Sequence, residues 1–212
     1  MIPIISVFVG LAILFAVIGS LRGWAKEIIV AFSAILALFV EHVLLMPELP
    51  LKKMFDGLPA EGQFYTRAVL FVIITIFGYA SPTVVAQLGA KVARERLQDI
   101  LLGFFIGLLN GFLIVGTLLS FLDTAHYGVP QDMWVEQQKM DNGNPVMRDG
   151  KPVMETVYLP DATGIGGIVP PEPDSPSANL MAFLPPVWIE EYEVVLYVSV
   201  AVAFIFVIIV FI

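Results

Sequence analysis

Cysteine is absent from the 212 residues, and histidine occurs twice. The chain therefore offers no thiol nucleophile, no disulfide scaffold and no thiolate metal site. His42 and His126 are too few and too far apart for a metal centre, and the Asp123/His126 spacing is a weak signal at a helix exit. Charge is also scarce. Only 14% of residues are Asp, Glu, Lys or Arg, whereas a soluble domain carries roughly 25%. No Gly-x-Ser-x-Gly elbow occurs, and Gly164-Ile165-Gly166-Gly167 lacks the following helix and lysine of a phosphate-binding loop. No basic-aromatic patch points to nucleic acid. These absences argue against an enzyme, a cofactor and a nucleic-acid partner.

Long apolar runs are present instead. Residues 3–20, 28–46, 68–88, 100–122 and 194–212 contain one formal charge among them, Glu41. Runs of this length span a hydrocarbon core about 30 Å thick at roughly 1.5 Å of rise per residue. Each must be helical, because the bilayer offers no water to satisfy backbone groups. None alternates as a membrane β-barrel strand would. The expected fold is an all-α polytopic membrane protein of about five transmembrane helices, with a small irregular or β-hairpin segment outside the membrane. Its expected units are a four-helix domain over 1–122, an acidic segment over 123–193 and a terminal helix over 194–212. The start, Met1-Ile2-Pro3, has no basic region and does not read as a cleavable signal.

Basic residues set the threading, since Lys and Arg near a span are retained in the cytoplasm. The loop after the first run holds Arg22 and Lys26, and that after the third holds Lys91, Arg94 and Arg96. These loops are expected inside, with the N-terminus and 123–193 outside and the C-terminus inside. Glu190, Glu191 and Glu193 before the last run suit the outer face; at the other end either the terminal carboxylate sits at the inner interface or the chain continues into a tail beyond Ile212.

The 123–193 segment is different material. It has three basic against twelve acidic residues, a net of −9, and ten of the fifteen prolines. Residues 134–140 and 153–159 read as strands, with turn signals at Asn142-Gly143 and Asp149-Gly150. Residues 164–176 read as irregular, and 180–188 as an interfacial re-entry element containing Trp188. The segment is either a solvated connector or a docking surface for a partner.

Within the runs, Gly103, Gly107 and Gly111 recur every four residues, which puts them on one helical face for close helix packing. Gly19 and Gly23 repeat the spacing and can supply the opposing face. Glu41, with His42, either pairs with Arg67 near the outer interface or belongs to an ion relay. Gln87 and Asn110 are expected to make interhelical hydrogen bonds.

Two junctions resemble the colicin V production protein (CvpA) family. One is Ser20-Leu21-Arg22-Gly23-Trp24-Ala25-Lys26-Glu27, similar to that family's Arg-Gly, aromatic or apolar, basic, Glu motif. The other starts at Asp99 and carries Gly103, Gly107 and Gly111 before an apolar run, with Ile100 and Asn110 where the family usually or often has Arg. The resemblance covers roughly residues 1–123. It implies a multi-pass protein of the bacterial inner membrane that is linked to envelope function or peptide-toxin export. It transfers Arg22, Gly23, Glu27, Asp99, Gly103, Gly107 and Gly111 as motif positions. The expected function is non-enzymatic, exercised through the lipid bilayer and membrane-protein partners. The alternatives are an accessory subunit of a larger, energy-transducing membrane complex, or a small channel or transporter using Glu41, His42, Gln87 and Asn110.

Overall fold

The computed structural model describes residues 3–80, 96–141, 143–148 and 150–211. Helix α1 (Ile4–Arg22) turns at Gly23 into α2 (Trp24–Leu44). A short helix α3 (Pro50–Asp56) precedes α4 (Ala60–Ala80), and α5 (Arg96–Thr124) follows. Then come strands β1 (Trp134–Gln138), β2 (Met140–Asp141), β3 (Asn144–Pro145), β4 (Met147–Arg148), β5 (Lys151–Pro152) and β6 (Met154–Tyr158). Helices α6 (Pro176–Met181), α7 (Pro185–Glu191) and α8 (Glu193–Phe211) close the chain. The molecule is a helical polytopic membrane protein with a small strand segment.

Four helices are long and apolar enough to cross a membrane: α1, α2, α4 and residues Leu97–Thr124 of α5. The fifth run is helical as α8, with its apolar stretch described over Glu193–Phe206. The third run differs from expectation. Its helix begins at Ala60, eight residues before 68, and takes in Glu61 and Arg67. Two interactions explain the extension: Glu61 lies in the first turn, where the helix dipole favours an acid, and Arg67 is neutralised by Glu41. The 81–88 part of that run, Gln87 included, lies outside the described residues, as do Lys91 and Arg94.

Helix α2 is the hub. Its small buried residues Ala31, Ala34 and Ala37 let neighbours approach, and Val30 and Leu38 join Phe71 of α4, Ile114 and Phe121 of α5, and Leu196 and Val200 of α8. Helix α8 runs antiparallel to α2. Phe39 meets Tyr197 at one end, with ring centroids 5.9 Å apart, and Phe32 meets Phe206 further along, at 5.2 Å. The outer faces of α1 and α4 expose Val7, Ile13, Leu14, Ile73 and Phe77, as surfaces solvated by lipid should.

Helix α1 packs mainly on α5, and the spaced glycines are the contact. A Cβ on Gly107 would stand 2.9 Å from the Gly19 Cα and 3.1 Å from the Ala16 Cα. One on Gly111 would stand 2.8 Å from the Ala12 Cα. These obstacles are backbone atoms, so no side-chain rotation relieves them. Gly19 thus supplies the opposing face together with Ala16 and Ala12, while Gly23 lies at the turn.

Three hairpins radiate from one point outside the bundle. β1 pairs with β6 from Trp134↔Tyr158 to Gln138↔Met154, and β2–β3 and β4–β5 form two small hairpins between them. Gly143 and Gly150 adopt φ of 79° and 75° in the two tight turns. The junction closes through three backbone hydrogen bonds. Lys139 N–H donates to the Val153 carbonyl at 2.8 Å, Val153 to Val146 at 2.9 Å, and Val146 to Lys139 at 2.9 Å. The expected pair of strands was correct in position, but each turn signal nucleates a further hairpin. The expected irregular stretch contains one 3-10 turn, Ile165–Gly167, and the expected re-entry element comprises the end of α6 and α7.

The segment is not a loose connector. Tyr127, Val129 and Ala162 are buried with Leu122 against Ile4 of α1 and Phe64 of α4. The Ile5 N–H donates to Ser177 Oγ at 3.3 Å. The N-terminus of α1, the α2–α4 connection and the hairpins therefore share one end of the bundle, and Arg22 and Lys26 occupy the other.

A larger residue at Gly107 must push α1 off α5. Gly107→Leu is expected to lower the unfolding free energy by about 1–3 kcal/mol or more, the cost of overpacking. Gly10→Leu, facing open space, should be near neutral. Thermal or SDS-induced unfolding in detergent measures both.

Candidate functional site

The two junction motifs fold into one place. Gly23 ends α1 and begins α2 with φ 84° and ψ 152°, a conformation that only glycine adopts without strain. The Asp99 carboxylate covers it: a Cβ there would lie 2.7 Å from Oδ2. Asp99 thereby sits at the positive end of α2, where an anion is favoured.

One turn further, Glu27 is fully buried. Its Oε1 lies 3.0 Å from Arg22 Nη1, and its Oε2 accepts from Asn110 Nδ2 at 2.8 Å. The same Asn110 amide also donates to the Glu27 carbonyl at 2.9 Å. Arg22 lies over the Tyr79 ring, 4.3 Å from its centroid. A single knot thus joins α1, α2, α4 and α5. Arg22, Gly23, Glu27, Asp99, Gly103 and Asn110 come together there; Gly107 and Gly111 continue the seam along α1. Tyr79 was not legible as a participant, since an aromatic near a span end carries no distinctive spacing.

Glu41 and His42 lie elsewhere. Fourteen residues of helix, about 21 Å at the standard rise, separate Glu27 from Glu41. Glu41 Oε1 accepts from Arg67 Nε at 2.6 Å, and Arg67 also lies over the Phe121 ring at 4.3 Å. His42 meets the edge of Tyr197, with centroids 6.1 Å apart. Both line a cavity of about 630 Å³ at the C-terminal end of α2. Asn110 therefore does not join Glu41 and His42 in one path. Gln87 lies outside the described residues. No His/Asp/Glu cluster suited to a metal occurs among the described residues.

Outside the bundle, His126, Tyr127 and Gly128 are consecutive left-handed residues, with φ of 48°, 57° and 72°. A buried tyrosine in that region costs roughly 1–3 kcal/mol, which its apolar packing offsets. The turn aims His126 flat against Trp134, with centroids 4.0 Å apart. Burial pushes the His126 pKa below its ordinary value, and Asp123 and Glu136 only partly oppose this. Burial and the nearby Asp123 push the Tyr127 phenol up.

One signal for the hairpin junction did lie in the sequence. Lys139-Met140-Asp141-Asn142-Gly143-Asn144-Pro145 is followed by Val146-Met147-Arg148-Asp149-Gly150-Lys151-Pro152, then Val153-Met154. This seven-residue repeat places Met140, Met147 and Met154 at equivalent sites, and all three are exposed.

The sequence profile described as colicin V production protein matches residues 6–140. The chain belongs to the colicin V production protein family. A colicin V production protein homolog from Haemophilus influenzae is 31% identical over 137 residues, covering 62% of this chain and 80% of the relative. No solved structure matches the chain. The family match contains both junction motifs, the Glu27 knot and β1, and ends at the first residue of β2. The rest of the hairpin junction and α6 to α8 lie beyond it.

Breaking a buried pair by removing one partner costs about 3–5 kcal/mol, and an interhelical hydrogen bond in a membrane about 0.6–2 kcal/mol. Glu27→Ala should therefore destabilise more than Asn110→Leu, and Arg22→Ala/Glu27→Ala less than the sum of the single changes, in SDS titrations. A second expectation concerns pH. The lowered His126 pKa contributes stability that is present above the unfolded value of about 6.5 and lost as pH falls through the folded value. Protease sensitivity of the hairpins should rise on acidification, and His126→Asn, which tolerates the left-handed backbone, should flatten that dependence.

Proposed function

We propose that this protein is a non-enzymatic scaffold of the bacterial inner membrane that presents its hairpin junction, on the extracytoplasmic side, to a protein partner in envelope maintenance or peptide-toxin export. The observation that carries the proposal is the platform itself. It is packed onto the bundle through Tyr127, Val129 and Ala162, and it exposes Val135, Met140, Met147 and Met154 without an internal partner for that face. Methionine side chains are flexible and polarizable, which suits a surface that adapts to an apolar partner. Acidic residues Glu136, Asp141 and Glu155 flank it, within a segment of net charge −9, so a partner with a basic rim is favoured electrostatically.

The membrane setting follows from the same chemistry. The name of the relative links it to colicin V production. Arg22 and Lys26 at the opposite end support a cytoplasmic placement for that end. The buried charges at Glu27 and Glu41 are each held in ion pairs between helices, which supports a structural role over a catalytic one.

A Met147→Cys variant tests both parts, because the chain has no other cysteine. A membrane-impermeant maleimide should label it from the periplasmic side, and a thiol-anchored crosslinker should capture a stoichiometric partner. Met140→Asp/Met154→Asp in the same background should abolish capture without changing the melting temperature. Labelling only after the inner membrane is opened, or a clean monomer after crosslinking, overturns the proposal.

A further inference from the structure

The three hairpins meet around a pseudo-threefold axis. The closing hydrogen bonds join Lys139, Val146 and Val153 into a ring, in which each backbone N–H donates to a carbonyl of another member. The residues that follow the ring members are Met140, Met147 and Met154. Strand pairing sets these opposite Pro145, Pro152 and Gln138 respectively. Side chains alternate along a strand, and directly paired residues share a face. Gln138, Met140, Pro145, Met147, Pro152 and Met154 therefore stand on one face of the junction, and the ring residues on the other. Exposure follows that division: the first six are exposed and the three ring residues half-buried. The methionines are 53%, 54% and 52% exposed, as equivalent positions should be.

Methionine is the one residue type that the repeat keeps in all three copies. The ring positions are Lys139, Val146 and Val153, and the positions after methionine are Asp141, Arg148 and Glu155. The glycine and proline shared by the first two copies become Val157 and Leu159 in the third. An apolar patch does not require methionine, since Leu, Ile or Val supplies the same hydrocarbon. Three thioethers add a chemistry those side chains lack: soft, uncharged sulfur donors that select Cu(I) over hard cations. Paired Cα atoms lie about 5 Å apart and alternate strand residues about 6.6 Å, which puts each methionine Cα about 6 Å from the axis. Three rotatable bonds carry the sulfur inward from there. The net charge of −9 on the 123–193 segment draws cations to this end of the molecule.

We infer that the junction binds one soft monovalent cation, Cu(I) or its analogue Ag(I), through the thioethers of Met140, Met147 and Met154 gathered on the pseudo-threefold axis. The ion ties the three hairpins together at their root, beside the ring of backbone hydrogen bonds. A thioether has no proton to lose, so binding needs no deprotonation, unlike a site of Cys, His or carboxylate ligands. The inference does not rest on the docking of a partner, because the ion is measured on the protein alone. An ion and a docked partner compete for the same three side chains.

The test titrates the full-length protein in detergent with Ag(I) and, under a reductant, with Cu(I) against a chromogenic Cu(I) chelator. One ion should bind per chain, Zn(II) should not compete, and X-ray absorption at the ion should show three sulfur neighbours. The affinity should hold from about pH 8 to pH 5, a range in which His-bound ions are released. Met140→Leu/Met147→Leu/Met154→Leu, which keeps side-chain volume, should weaken binding about 100-fold or more and leave the melting temperature of the ion-free protein unchanged. Met54→Leu, at a methionine exposed on α3, should bind as the parent does. Nitrogen or oxygen neighbours at the ion, an affinity that falls on acidification, competition by Zn(II), or unchanged binding in the triple variant each overturns the inference.

Discussion

A buried carboxylate at the Gly23 end of the bundle constrains the rest of the structure. Glu27 is buried among apolar helices, where an uncompensated charge costs several kcal/mol. Arg22 on α1 supplies the counter-charge and Asn110 on α5 the hydrogen bond, which sets the relative height of three helices. Tyr79 on α4 completes the enclosure from the other side of Arg22. The glycine seam then follows. Once Glu27 and Asn110 are level, Gly103, Gly107 and Gly111 fall opposite Gly19, Ala16 and Ala12, where a side chain on the glycines would hold α1 away. The neutral amide at Asn110 leaves charge compensation to Arg22.

The opposite end of the bundle is organised by a second pair, Glu41 with Arg67, which lets α4 begin well before its apolar run. The two ends are chemically independent, since a long apolar core of Val30, Ala34, Phe71 and Phe121 separates them. Among the described residues, that separation puts Glu27 and Glu41 in two distinct ion pairs, one at each end. Next to this second pair, the left-handed turn at His126–Gly128 redirects the chain from α5 into the hairpins, and the burial that lowers the His126 pKa also clamps Tyr127.

Much of the fold was legible in the sequence. The apolar runs located the spanning helices because membrane partition depends on the local sum of side-chain transfer energies, not on distant contacts. The strands at 134–140 and 153–159 were legible from turn chemistry at Asn142-Gly143 and Asp149-Gly150. The threefold junction was not, because its closing hydrogen bonds join three separate backbone strands and leave a trace only in a seven-residue repeat. The start of α4 was misjudged because a lone Arg67 reads as a loop residue until its partner is known. Tyr79 carried no signal at all.

What the sequence determined alone was the solvent of each segment: which stretches enter lipid, which remains in water, and that the acidity belongs to one insert rather than to the whole chain. Spacing further showed which glycines share a face. Only the tertiary structure decided which residues meet across helices. Arg22 and Glu27 are near in sequence, but Asn110 is 83 positions from Glu27, and Arg67 is 26 from Glu41. Helices can slide and rotate against one another without changing their own hydropathy, so composition is silent on register. Burial of charge is not, because each buried carboxylate tolerates few arrangements of partners, and the packing of the bundle is the one that satisfies both.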